Sequence, residues 1–549
     1  MVRFPATALL AASLLLPAPG DAQTPELPGA DTAASTIDAD VLFGHTRFLS
    51  SDLLAGRGPG TRGDRLAQEY IAAEMETLGL EPAGPGGSWL QPFTLVGLTA
   101  LGSPPLRLTG PDGETISLPW REEWIGSSGR QEARAEIEGA EVVFVGYGIV
   151  APEEEWDDYG DVDVSGKVLL FLNNDPAGDR FGGEKRLYYG RWTYKYEIAA
   201  EKGAAAALVI HTTPSAGYPW QVVSSSWSGT QFQLPAGDEP RVAVEAWVTE
   251  EAARRLVALG GEDLDTLVDA AQSPDFTPVP LGVTAEAGFD VEMERTETAN
   301  VLGRLPGSDP ERKGEHVLFT AHYDHLGVGE PVEGDSIHNG ARDNALGTAS
   351  VLALARAYQA LPEPPARSML FGFVGAEEQG LLGSMYLAEN PVVPNCDVVA
   401  NINIDGGNIW GRTNDVRQIG RGKSTLDSWL DRFAGAQGRE VLPEEFPDKG
   451  YYYRSDQFSF AKVGIPAIYL DEGTDFAGRP EGWGEERIAE WLETRYHQPS
   501  DEITPEWDLS GALQDDRLLF RVGYAVAESS DRPAWVPGDE FAGIRSECP

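Results

Sequence analysis

Apolar and polar positions alternate in blocks along most of the chain, and the spacing inside each block indicates a helix or a strand. At 64–78, apolar residues recur every three or four positions and Gly79 follows them, which predicts a first helix. Short continuous apolar runs bounded by turn residues predict buried strands. The predicted strands are 142–147, 167–172, 206–211, 317–321, 369–374, 398–404 and 465–470.

Helical patterns fall between these runs. The clearest are 196–202, 250–258, 345–360 and 381–389. Continuous apolar strands separated by helices are typical of a sheet that is covered on both faces. We therefore predict an α/β protein with a mixed, largely parallel sheet. The chain has 549 residues, and single cores stop growing at roughly 250–300 residues, so we expect two domains.

The first residues predict export. Arg3, an apolar run at 6–18 and the small residues at 20–22 form the pattern of a signal peptide at 1–22. The apolar run is too short for a membrane span, and no later stretch reaches about 18 uninterrupted apolar residues. We expect a periplasmic or secreted protein without a membrane anchor. Residues 23–36 are rich in Pro, Ala, Thr and Asp and predict a flexible segment.

Composition narrows the classes of partner. The 41% hydrophobic content and 14 tryptophans are those of a globular chain. A formal charge of −45 repels phosphates, so nucleic acid and anionic membrane surfaces are not expected as partners. The two cysteines, Cys396 and Cys548, exclude a Cys-rich zinc site. They form either one disulfide or two unpaired thiols.

A histidine and several acids come directly after three of the predicted strands. They are His322 and Asp324 after 317–321, Glu377 and Glu378 after 369–374, and Asp405 at the end of 398–404. Ligands of open α/β sheets collect at the carboxyl ends of the strands. The sequence therefore predicts that these side chains share one crevice.

Only seven histidines occur, so each can be considered separately. His45, His211 and His316 lie in or beside apolar segments and are interpreted as structural. His322 ends a strand, and His497 lies in a polar loop. Each alone is typical of an ordinary histidine, but their occurrence together with the acids indicates metal ligands.

Imidazole and carboxylate groups suit zinc, and two close ions need one carboxylate that bridges them. Asp343 directly precedes a predicted helix and is placed for that bridge. Asp324 fits an orienting role beside His322. Because neighbouring side chains leave an extended turn in different directions, one of Glu377 and Glu378 can bind metal while the other faces a water molecule.

Several motifs, in this order, resemble peptidase family M28 of co-catalytic zinc peptidases. They are TAHYDHLG at 320–327, NGARDNALG at 339–347, GAEEQGLLGS at 375–384, NID at 403–405, RSD at 454–456 with Phe458, GIPA at 464–467 and YH at 496–497. The resemblance implies a zinc-dependent exopeptidase fold. It also implies an aminopeptidase that acts on the N-termini of peptides or proteins.

The resemblance also assigns roles to residues. His322, Asp343 and Asp405 would hold one zinc ion, and Asp343, Glu378 and His497 the other. Glu377 would be the general base, and a cis peptide bond would join Asp343 to Asn344. One of Tyr451, Tyr452 and Tyr453 would donate a hydrogen bond to the substrate carbonyl oxygen, and the pattern does not choose among them. Tyr453, with Arg454, is taken as the candidate substrate contact.

Two positions depart from the family pattern. Arg342 stands where many relatives have an acid, and Leu346 where many have a serine. The family pattern therefore does not predict the specificity pocket of this chain. Residues 135–285 resemble a protease-associated domain, on the segments 166–168 and 201–205. The resulting division is a peptidase domain formed by 37–134 and 286–549, with 135–285 inserted into it.

Other functions remain in consideration. A carboxypeptidase or dipeptidase of the same family would need a basic pocket, which Arg342 or Arg454 could supply. A glutaminyl cyclase normally uses one zinc ion, and a non-catalytic binding protein would lack ligands, so the five-residue ligand set argues against both. The sequence indicates no oligomeric state.

Overall fold

The computed structural model describes residues 27–178, 180–183, 187–545 and 548. The predicted signal peptide, 1–22, lies outside the described residues. Across the described part of the chain, no helix combines the length and the apolar character that a membrane crossing requires.

Strands and helices are numbered here in chain order. The strands are β1 Glu81–Pro82, β2 Leu90–Leu101, β3 Leu106–Thr109, β4 Thr115–Leu118, β5 Trp124–Ser128, β6 Arg134–Phe144, β7 Val150–Ala151, β8 Trp156–Asp157, β9 Val168–Leu172, β10 Ala206–His211, β11 Gln231–Gln233, β12 Val244–Thr249, β13 Val279–Leu305, β14 His316–His322, β15 Gly327–Val332, β16 Asp335–His338, β17 Ser368–Val374, β18 Val398–Asn403, β19 Asp415–Ile419, β20 Glu440–Pro443 and β21 Ala467–Glu472. The helices are α1 Ala30–Ala34, α2 Ala39–Leu49, α3 Arg62–Leu78, α4 Trp192–Glu201, α5 Thr213–Ala216, α6 Trp220–Ser226, α7 Glu250–Leu259, α8 Leu264–Ala270, α9 Gly347–Gln359, α10 Leu382–Glu389, α11 Leu426–Ala436, α12 Gln457–Ala461, α13 Trp483–Thr494, α14 Ser510–Glu528 and α15 Ala542–Arg545.

The main lobe is built on a mixed sheet with a parallel centre. Its strand order is β13–β17–β14–β18–β21–β19–β20, in which β17, β14, β18 and β21 are parallel to one another. The outer strands β13 and β19 run antiparallel to their inner neighbours β17 and β21. The predicted α/β class is confirmed.

Helices cover both faces of this sheet because alternate residues of its apolar strands point to opposite sides. Val317 and Phe319 of β14 belong to a core formed with α9 and α14, whereas Leu318 belongs to a second core formed with α10 and α12. Every residue of β14 is buried, which is why its sequence is a continuous apolar run rather than an alternating one.

A second lobe is built around a core that continues into the main lobe through Tyr453, Phe458 and Phe541. Strands β6, β9, β10 and β12 form a parallel ladder, and β5 adds an antiparallel edge. This core also contains Leu106, Leu118 and Trp124, which precede the predicted boundary at 135. The Gly- and Pro-rich stretch that carries these residues has short strands with weak apolar patterns, so the sequence contained no sign that they belong to this core.

The two lobes share one strand. β13 is 27 residues long, and its first part pairs with β3 and β6 while its last part pairs with β17. Between these parts it pairs with β2 along Asp290–Val301. The predicted domain end at 285 therefore falls inside a continuous strand and not in a linker.

The described part of the segment 23–36 is ordered, contrary to the prediction of flexibility. Ala30, Ala33 and Ala34 of α1 are buried in the core that contains α9 and α14. The Arg517 side chain also donates a hydrogen bond to the Ile37 carbonyl oxygen, at 2.7 Å. A short alanine face is enough for this packing, and such a face is too brief to be read from the sequence.

The cysteines form a disulfide, which decides between the two alternatives. Cys396, just before β18, is bonded to Cys548 at the end of the chain. The last described segment is thereby attached to the main lobe.

The packing of β14 supports a stability prediction for Phe319. Its ring is fully buried, with ring centroids 5.6 Å from Tyr358 and 5.9 Å from Phe371. We expect F319A to lower the free energy of unfolding by about 3–5 kcal/mol, because apolar surface is lost and a cavity remains. F43A is the control, since Phe43 of α2 is 37% exposed and its loss should cost no more than about 0.5 kcal/mol. Denaturant unfolding of the metal-free proteins measures both, and equal losses would contradict the assignment of β14 to the core.

Candidate metal centre

Three parallel strands bring the candidate ligands to one edge of the sheet. His322 is the last residue of β14, and its parallel neighbours β17 and β18 end shortly before Glu377 and Asp405. The carboxyl ends of these strands therefore meet where the sequence placed the crevice. Asp343 and His497 reach the same place from separate loops.

One half of the site is built around His322. Its Nε2 atom lies 3.2 Å from Asp343 Oδ1 and 3.2 Å from Asp405 Oδ1. Glu377 Oε2 lies 4.0 Å from the same nitrogen. Donor atoms from a histidine, two aspartates and a glutamate thus surround one small space.

The other half is built around His497. Its Nε2 atom lies 3.4 Å from Asp343 Oδ2 and 3.1 Å from Glu378 Oε2. Asp343 therefore turns one carboxylate oxygen to each histidine. This is the arrangement that a carboxylate needs to bridge two metal ions.

An irregular turn, Ala341–Leu346, presents Asp343. The peptide bond between Asp343 and Asn344 is cis, as predicted. Both carboxylate oxygens of Asp501 accept a hydrogen bond from the Arg342 N–H, at 3.1 Å, and one also accepts from the Asp343 N–H, at 3.0 Å. Asp501 thus fixes the backbone that carries the bridging candidate.

The side chain of Asn344 joins this turn to the loop of Asp405. Its Nδ2 donates to the Ile404 carbonyl oxygen at 3.0 Å, and its Oδ1 accepts from the Gly406 N–H at 2.9 Å. The backbone on both sides of Asp405 is therefore held by the residue that follows Asp343.

Asp324 lies behind the site and is fully buried. Its Oδ1 accepts a hydrogen bond from the Glu377 N–H at 3.1 Å and lies 3.9 Å from His322 Nδ1. Burial raises the pKa of Asp324 to about 8. The carboxylate of Asp324 thus contacts the backbone of Glu377, whereas the Asp324 backbone carbonyl oxygen lies 3.3 Å from His322 Nδ1.

Two further residues orient the carboxylates and had no assigned role in the sequence analysis. His325 Nδ1 lies at hydrogen-bond distance from Glu378 Oε1, and the Ser455 hydroxyl donates to Asp405 Oδ2 at 2.5 Å. Their only signal in the sequence was their place within the motifs, because neither spacing nor composition shows which carboxylate each one contacts.

The site carries more negative charge than its own residues compensate. Among the described residues, no lysine or arginine forms an ion pair with Asp343, Glu377, Glu378 or Asp405. Burial lowers the pKa of His322, but Glu377 and Asp405 outweigh it and raise this pKa well above its usual value.

The carboxyl group of Glu377 shows the same imbalance. Burial raises the pKa of Glu377, and the charges of Asp405 and Glu378 raise it further. Divalent cations relieve such an excess, and the imidazole and carboxylate donors are those that zinc prefers. The residues present therefore fit zinc.

The site opens into a cleft of about 290 Å³. Tyr451 and Arg454 line it together with Asp343, Glu377 and His497. Tyr453 does not line it.

Tyr453 is 3% exposed, and its hydroxyl donates to Glu540, which does not line the cleft. The predicted substrate contact of Tyr453 thus has no support in its position. Tyr451 of the same helical turn faces the cleft instead.

Arg342 is already engaged. Its guanidinium forms an ion pair with both oxygens of Glu472, at 2.6 and 2.7 Å, and lies between the rings of Trp410 and Trp491. The three histidines that were interpreted as structural lie elsewhere: His45 contacts Tyr70, His211 contacts the Tyr218 carbonyl oxygen, and His316 begins β14 at the end opposite to His322.

Parts of this chain are similar to known proteins. Residues 300–518 match the description Peptidase family M28. The leupeptin-inactivating enzyme 1 of Streptomyces exfoliatus is 28% identical over 266 residues, which cover 46% of this chain and 55% of that protein. A probable zinc metalloprotease of Pyrenophora tritici-repentis is 35% identical over 135 residues, covering 23% and 26%.

A solved structure is also similar. The aminopeptidase from Aneurinibacillus sp. strain AM-1 aligns with a TM-score of 0.49 and 20% identity, covering 92% of this chain and 96% of that one. The chain spans about half or less of the length of the two curated relatives named above. Residues 300–518, which match the family description, contain all five candidate ligands. The resemblance seen in the motifs is therefore confirmed: this segment of the chain is a domain of peptidase family M28.

Proposed function

We propose that the chain is an exported zinc exopeptidase that removes N-terminal residues from peptides with the help of two metal ions. The observation that supports this most is the position of Asp343, whose two carboxylate oxygens face His322 and His497 separately. In this proposal His322, Asp343 and Asp405 hold one ion, and Asp343, Glu378 and His497 hold the other.

Zinc bound there would supply Lewis acidity, which polarises a peptide carbonyl and lowers the pKa of a water molecule. Glu377 accepts the proton of the attacking water and then delivers it to the leaving amine. The products are the free N-terminal amino acid and the shortened peptide. Asp324 keeps Glu377 in place through the backbone N–H that it accepts.

The charges of the cleft favour an amino group over a carboxylate near the site. Arg342, one of the two candidates for a basic pocket, is neutralised by Glu472. Acidic side chains outnumber arginines among the residues that line the cleft. A protonated α-amine is attracted by this surface, which supports the aminopeptidase over the carboxypeptidase.

The role of Glu377 is tested by E377Q. We expect hydrolysis of aminoacyl-anilides to fall by about 100-fold or more, because general-base catalysis contributes 10²–10⁴-fold, while zinc content stays unchanged. Chelation should abolish the activity of the unsubstituted protein, and added zinc should restore it.

E389Q is the matched control, since Glu389 is an exposed glutamate at the end of α10. We expect its activity to stay within about threefold of the unsubstituted protein. Retained activity in E377Q would exclude Glu377 as the base, and metal-independent hydrolysis would exclude the zinc mechanism.

A second candidate function is a dipeptidase that also binds the substrate carboxylate. Arg417 and Arg454 line the cleft, and within the described ranges neither lies at ion-pair distance from a carboxylate. The Arg454 guanidinium lies over the Tyr451 ring, 5.2 Å from its centroid. Such a group can receive the carboxylate of a short peptide.

R454Q distinguishes the two candidates. For a dipeptidase, we expect KM for free dipeptides to rise by about tenfold or more, since a charge-assisted hydrogen bond contributes about 1.5–3 kcal/mol. KM for C-terminally amidated dipeptides is the internal control and should not change. Equal effects on both substrates would argue against recognition of the carboxylate.

A further inference from the structure

Arg57 is a fully buried arginine beneath the metal centre. It lies in the Gly-rich stretch between α2 and α3, and its exposure is 0%. Arginine is almost never fully buried unless its charge has partners. Its contacts therefore indicate what the residue does.

The guanidinium donates only to backbone carbonyl oxygens. Nε donates to Tyr323 at 2.6 Å, Nη1 to Asn339 at 2.7 Å and to Leu49 at 2.5 Å, and Nη2 to Gly340 at 3.0 Å. Tyr323 directly follows His322, and Gly340 precedes Asp343 by three residues. One side chain thus joins the backbones of the two segments that carry the central ligands.

The loop of Arg57 packs closely against Gly327 and against the residues that directly precede Gly340. Gly56 has a φ of +68°, and a Cβ atom there would lie 2.4 Å from the Gly327 carbonyl oxygen and 2.5 Å from that of His338. In return, Asn339 Nδ2 donates to Ser50 O at 2.7 Å and to Asp52 Oδ1 at 2.8 Å. Donors and acceptors on both sides hold this contact, so Arg57 has no freedom to turn away.

Arg57 also places a positive charge among the acids of the site. No carboxylate in the described part of the chain lies at ion-pair distance from it, yet Asp324, Asp501, Asp343 and Glu378 are near enough to act on it. Burial lowers the pKa of Arg57 to about 10, and these four acids oppose that decrease. The guanidinium is therefore charged at neutral pH.

We propose that Arg57 is a positioning residue for the metal centre: it holds the His322 and Asp343 segments at the separation that metal binding requires, and its charge offsets part of their repulsion. The inference rests on the proposed zinc site. Arg57 touches no substrate atom, so its effect passes through the ligands.

The test compares R57Q and R57K with R367Q. Arg367 is the control, because it is also buried, at 1% exposure, and donates to the carbonyl oxygens of Val526 and Ser529, although it also pairs with Glu315. It directly precedes β17, at the end opposite to Glu377. Zinc affinity is measured on the metal-free proteins by calorimetry with a competing chelator, and kcat and KM are measured at saturating zinc.

We expect R57Q to weaken zinc binding by about 10–100-fold, as for other residues that orient metal ligands. Its kcat at saturating zinc should fall by about tenfold with KM within about threefold, since binding of the peptide is not its task. R57K keeps the charge but not the fork of donors and should lie between R57Q and the unsubstituted protein. R367Q should lower the Tm and leave zinc affinity unchanged.

The opposite pattern overturns the proposal. If R57Q lowers only the Tm, with zinc affinity and kcat unchanged, Arg57 is a structural residue like Arg367. If R57Q does not fold, the zinc affinity and kcat of R57K are compared with those of the unsubstituted protein in the same way. A protein that binds zinc but cleaves no peptide would overturn the proposed function, and the affinity comparison, which needs no turnover, would still decide about Arg57.

Discussion

Repulsion between clustered, largely buried carboxylates is the constraint on which the rest of this structure depends. Four of them meet at the carboxyl edge of the sheet with two histidines and no ion-paired lysine or arginine among the described residues. Such a cluster persists only where each group is held by other contacts. The Asp501 carboxylate, the Ser455 hydroxyl and the side chain of Asn344 supply them. Much of the polar interior serves to keep like charges close together.

The strands of the main lobe could be predicted closely, because buried parallel strands are continuous apolar runs. β14, β17 and β18 were each predicted to within one residue at each end. The start of the second lobe was not predictable in the same way. Its first strands, β3 to β5, are short and separated by Gly and Pro, so their burial depends on partners that come more than 100 residues later in the chain.

The candidate site, too, could be predicted from the sequence only in part. The motifs located the ligand candidates, and the structure brings all five together. They could not choose among three consecutive tyrosines, because residues on one helical turn point in different directions and only the packing of the wall decides which of them faces the cleft. They also gave no sign of Arg57. An arginine between glycines resembles a solvated loop residue until the carbonyl groups around it are known.

The shared strand β13 has a consequence for how the lobes can move. Two domains that are joined by loops can swing about a hinge, but here an unbroken strand paired with β2 connects them. A ribbon of two paired strands bends and twists along its length without a single pivot. Relative motion of the lobes should therefore be a graded flexing, spread over many peptide units, rather than a switch between an open and a closed state.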